Sequence, residues 1–111
     1  MESLNVSVAN DFSKTPGPRY RYEGDFSGEE FRQTKLEPLF NQARKENKKI
    51  IVNLDGTLGY GTSFLEEVFG GLARLYTADE VEKTIEIISK EEDYLINDIK
   101  GYIKDTRNET A

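Results

Sequence analysis

Cysteine, histidine and tryptophan are absent from the 111 residues, and methionine occurs once. Without cysteine there are no disulfides and no thiolate nucleophile, and nothing points to an oxidising compartment. Without histidine the chain also lacks the commonest zinc ligand and the side chain best suited to proton transfer near neutral pH. Zinc sites of the usual kind and Ser-His or Cys-His nucleophile pairs are excluded, so any catalysis would fall to carboxylates, lysine, tyrosine or hydroxyls. No catalytic residue, metal site or cofactor is therefore expected.

Long apolar runs are missing too. No stretch approaches the roughly 20 residues that span a bilayer, and the opening Met1 to Leu4 has neither a basic segment nor an apolar one. The expectation is a cytoplasmic protein with no membrane contact. Acidic residues number 21 against 15 basic ones, a net charge of −6, which repels phosphate backbones and makes nucleic acid an unfavourable partner. Another protein is the expected partner.

What is present reads as a folded domain. The apolar share is 36%, with enough Ile, Leu, Val, Phe and Tyr to build one core. Leu4, Val6 and Val8 alternate with polar or small residues, as in a half-buried strand. Residues 10–18 read as loop. After Pro16, Gly17 and Pro18, the alternation Arg19, Tyr20, Arg21, Tyr22 suggests a second strand paired with the first. Ser27 with Glu30 makes a capping box at a helix start, Phe31, Leu36, Leu39, Phe40 and Ala43 give that helix a core face, and Pro38 should kink or split it.

Ile50 to Leu54 is short, β-branched and almost wholly apolar, which predicts a central strand covered on both faces. A glycine-rich turn follows, and Ser63 with Glu66 forms a second capping box before Phe64, Leu65, Val68, Phe69, Leu72, Leu75 and Tyr76 recur at helical spacing. Gly70, Gly71 and Ala73 make this helix thin, which would bring it close to the sheet. Thr77 with Glu80 suggests another cap, residues 84–88 a strand, and Ser89 with Glu92 the cap of a last helix. The resulting expectation is one α/β domain over 1–104, with about four strands in a mixed sheet and three main helices on one side. Residues 105–111 would be a fraying polar tail.

Asn53, Leu54, Asp55, Gly56, Thr57 and Leu58 after an apolar strand are similar to the motif of haloacid-dehalogenase-type phosphatases. In that family the first position is an aspartate nucleophile and the second aspartate an acid/base. Asn53 stands at the nucleophile position here, and an amide cannot form an aspartyl-phosphate intermediate. A phosphohydrolase using Asp55 is thus a minor alternative. Gly56, Gly59 and Gly61 flank Tyr60 and could bring backbone amides to an anion, which makes nucleotide binding another.

Asn10 to Ser13, Pro16 to Tyr20, Ser27 to Phe31 and Ser63 to Leu72 together resemble the STAS-like family of bacterial domains of unknown function. That resemblance implies a fold like the anti-sigma factor antagonists, a small sheet backed by helices. In those antagonists a serine at the helix start after the central strand is phosphorylated by an ATPase-type kinase, which breaks a protein complex. The matching positions are Thr62 and Ser63, although Gly61 stands where the antagonists carry Asp and Phe64 where they carry Gly.

The leading expectation is a regulatory protein-interaction module with Thr62 or Ser63 as phosphoacceptor, Tyr60, Phe64 and Glu67 on the contact surface, and an ATPase-type kinase among its partners. Arg19 and Arg21, with the free amides near Ser27, form a candidate anion site. A small acidic inhibitor that covers a basic site on another protein is the third reading, although the acids are interleaved with Lys and Arg.

Overall fold

A computed structural model describes residues 3–110 of the chain. Among these residues the structure has three strands and five helices in the order β1, α1, α2, β2, α3, α4, β3, α5. β1 (Ser3–Ser7) lies beside β2 (Lys49–Asn53), which lies beside β3 (Ile85–Ile88). Both pairings are parallel, with Val6 opposite Val52 and Val52 opposite Ile87.

The sheet is therefore parallel throughout rather than mixed, and one strand shorter than expected. The missing strand is the stretch Arg19 to Tyr22. Pro16 and Pro18 flank its start and can donate no ladder bond, while Arg21–Glu23 closes into a 3₁₀ turn with the Tyr20 N–H bonded to the Glu23 carboxylate. Tyr20 and Tyr22 do share a side, but as an exposed stacked pair 5.5 Å apart.

β1 runs directly into the short helix α1 (Val8–Asp11), where the Ser7 hydroxyl accepts from the Asn10 N–H and Asp11 accepts from the Ser7 N–H. α2 covers residues 28–46 without a break and consists of Gly28–Phe31, a π-helical segment Arg32–Leu36, and Glu37–Glu46. Pro38 neither splits nor ends it. The turn before Pro38 is wider, with the Glu37 N–H bonded to the Arg32 carbonyl five residues back, so the ring meets a backbone already displaced from the α-helical ladder. Asn47 in the left-handed conformation then closes the helix.

α3 covers residues 62–75 and is built the same way, as Thr62–Leu65, a π-helical segment Glu66–Gly70, and Gly71–Leu75. α4 (Ala78–Thr84) starts at Thr77, whose hydroxyl accepts from the Glu80 N–H as expected. α5 (Tyr94–Asp105) begins at Asp93 rather than Ser89, because the Ser89 hydroxyl donates instead to the Glu92 carbonyl. Thr106–Thr110 forms a 3₁₀ turn, Thr106 is buried, and Arg107 binds Asp79 and Glu82.

The core lies between the sheet and the helices, around the fully buried Phe31, Phe40, Phe64, Phe69, Ile50 and Val52. The opposite face of the sheet carries Asn5, Ser7, Ile51, Asn53, Glu86 and Ile88, none of them buried. β2 is thus covered on one face and not on two, and this explains why Asn53 can follow Val52 without a burial penalty. No helix among the described residues is long and apolar enough to cross a membrane.

Candidate functional site

The segment after β2 is held by its own polar groups. The Asn53 side-chain oxygen accepts from the Asp55 N–H at 2.9 Å, an Asx turn that bends the chain out of the strand. The Asp55 carboxylate then accepts from the backbone N–H groups of Lys90 (2.9 Å) and Glu91 (3.0 Å), and the Glu91 carboxylate accepts from the Gly56 N–H at 2.8 Å. Two loops from neighbouring strands are clasped in this way.

The clasp bears directly on the chemistry expected of these residues. Asp55 is occupied as a structural acceptor, and Asn53 turns the backbone. Gly56 and Gly59 have φ of 94° and 141°, which the turn requires, and their N–H groups go to Glu91 and to the Thr57 hydroxyl. An anion cradle needs those amides free, and a glutamate already holds one of them. Among the described residues no group of three or more acidic, His or Cys side chains is placed to hold a metal ion.

Tyr60 is anchored, not displayed. Its hydroxyl donates to the Leu54 carbonyl at 2.8 Å, its ring packs 5.8 Å from Phe64, and burial pushes the phenol well above its ordinary pKa. Phe64 is fully buried and Glu67 is 7% exposed, so two of the three residues expected on a contact surface belong to the interior. The period-3.6 pattern of Phe64 already marked it as core. Glu67 carried no such mark.

Glu67 is buried because arginine reaches it. Arg32, from the π-helical segment of α2, donates to Glu67 at 2.9 Å and also binds Glu37. Arg19 binds Glu66 and lies 3.5 Å from Glu67, while Arg74 reaches Glu66 from the far end of α3. The hydrogen bond to Glu66 raises the Arg19 guanidinium above its already high value. Gly71 leaves room for this network, since a Cβ there would come within 2.8 Å of Arg32 Nε. The thin stretch of α3 thus admits an arginine instead of bringing the helix onto the sheet.

Arg19, Arg21 and Ser27, expected at an anion site, each have partners within the chain. Arg19 is neutralised by Glu66, Arg21 bonds to Gln33 at 2.9 Å, and Ser27 is fully buried with its hydroxyl accepting from the Glu30 N–H at 3.0 Å. Gly28 beside it faces Phe64 so closely that a Cβ would lie 2.6 Å from the Phe64 carbonyl oxygen. This contact locks the start of α2 against the start of α3.

Thr62 and Ser63 stand at that second start, both exposed. α3 is capped by Gly61 with no side-chain hydrogen bond. Ser63 therefore lies inside the first turn and is not the cap, and the expected box fails because Glu66 is held by Arg19 and Arg74. Both hydroxyls are left at the surface. In the loop ahead of them Leu58 is 86% exposed, with its N–H bonded to the Lys14 carbonyl at 2.8 Å. Leu58 is the exposed apolar side chain that sequence reasoning did not single out, and its signal was an apolar residue in a turn of glycines.

A family model for the STAS-like domain of unknown function (DUF4325) matches residues 27–95. The chain belongs to this family. The match begins at Ser27 and runs through α2, β2, α3, α4 and β3 to the start of α5, so the STAS-like region includes both helix starts and the clasped loop. The similar blocks at residues 10–13 and 16–20 lie outside it. No curated protein and no solved structure gives a significant match.

Proposed function

We propose that this STAS-like domain is a regulatory protein-interaction module whose contact surface is the loop of residues 56–61 together with the exposed start of α3. The observation that carries this reading is the placement of Thr62 and Ser63. Both are exposed with no side-chain cap to make, and they follow a loop that Asp55 holds and that carries the exposed Leu58. A phosphate on either would add up to two negative charges next to an apolar contact, while the helix start tolerates the charge. A partner that docks on Leu58 would lose affinity when that charge arrives.

Switching by an ATPase-type kinase is the finer part of the proposal. Incubation with ATPase-type kinases encoded next to the gene, read by intact mass and peptide mapping, should place one phosphate on Thr62 or Ser63. The absence of phosphate at both in every such pairing would discard the switch. Of the other readings, a phosphohydrolase has only an aspartate engaged by two backbone amides, and an acidic inhibitor would have to spare the glutamates already paired with arginine.

A further inference from the structure

Among the described residues the sheet ends at β3, which pairs on one side only. Between its free edge and α5 runs a groove of about 800 Å³ whose walls include Ile85 and Ile87 of β3 and Ile96, Ile99 and Ile103 of α5. This is where one more strand would lie. A strand placed there would continue the ladder of β3 and turn alternate side chains onto the isoleucines of α5.

The charges around the groove differ from those of the molecule as a whole. Glu86 is paired with Lys49 and Glu82 with Arg107. Lys100 and Lys104, exposed on the rim formed by α5, have no ion pair among the described residues. The groove holds two acids and two lysines, but the acids are paired and the lysines are not, so on a chain of net charge −6 its unpaired charge is basic and the complementing charge is acidic.

We propose that β3 and α5 form a docking groove for an extended segment of a partner protein, one that adds a strand to the free edge of β3. Its alternate apolar side chains fill the space over Ile85, Ile87, Ile96, Ile99 and Ile103, and Asp or Glu residues along it pair with Lys100 and Lys104. Backbone hydrogen bonding provides general affinity and the rim selects for acid. A second copy of the chain fits less well. Two β3 strands paired about a two-fold axis would bring each α5 rim toward the other and set lysine against lysine. This groove is separate from Thr62 and Ser63, and a failure of phosphorylation there leaves it standing.

The test uses two short fluorescent peptides, one alternating valine with glutamate and one alternating valine with lysine. Anisotropy should show saturable binding of the glutamate peptide to the full chain, with amide shifts in the nuclear magnetic resonance spectrum centred on Ile85 to Ile88. The double variant Lys100→Glu, Lys104→Glu, folded by circular dichroism, should bind that peptide about tenfold or more weakly and prefer the lysine peptide. No saturable binding to the wild type, equal binding of both peptides, or shifts away from β3 would overturn the proposal. So would a dimer of the chain that dissociates on the same charge reversal, since a second copy would then be the occupant.

Discussion

Ser27 and Ser63 each stand near the start of a long helix, three residues ahead of a glutamate, yet one is sealed inside the molecule and the other faces solvent. The difference comes from their neighbours. Gly28 after Ser27 allows α2 to meet the Phe64 carbonyl, so Ser27 is covered and its hydroxyl caps the helix. Phe64 after Ser63 takes the buried position itself, which leaves the serine on the outside with no cap to make. One helix start holds the structure together, and the other is free for contact.

The largest effect that would break this contrast comes from the ion pairs behind the two starts. Glu67→Ala takes from the buried Arg32 one of its two carboxylate partners and leaves Glu37, and should cost about 2–3 kcal/mol in urea denaturation. If the loss is below about 1 kcal/mol, the network is not what fixes α3 against α2. Next in size is Ser27→Ala, which removes a buried cap and should cost about 1–2 kcal/mol by the same measurement. Smallest is Ser63→Ala. With no cap lost it should change stability by less than about 0.5 kcal/mol, and a loss as large as that of Ser27→Ala would mean that Ser63 caps the helix after all.

Those three positions also show how far the sequence could be read. Apolar periodicity located Phe31, Phe40, Phe64 and Phe69 in the core and placed β1, β2 and β3 within a residue or two, because burial imposes a repeat that the chain must carry locally. Arg19 to Tyr22 alternates like a strand, but alternation does not say whether a neighbouring strand is present to bond with it. Ser63 and Glu66 satisfy the local rule for a capping box, and the rule fails because two distant arginines, Arg19 and Arg74, claim the glutamate. Glu67 looked like surface for the same reason, since its partner Arg32 lies 35 residues away. At the candidate site, the exposure of Thr62 and Ser63 was legible from their place after the turn, while the role of Asp55 depended on the backbone of residues 90 and 91, which no motif describes.

The π-helical segments of α2 and α3 set the phase of everything after them. Each α-helical residue advances the side chains by about 100°, so a wide turn lets one extra residue pass without rotating the rest of the helix. Phe64 and Leu65 ahead of the segment in α3 and Leu72 and Ala73 behind it can then all reach the core. Removing a single residue between Glu66 and Gly70 would close the wide turn into regular helix and leave both halves facing the core, whereas removing two would swing one of them toward solvent. Along this stretch the chain should accept the loss of one residue more readily than the loss of two.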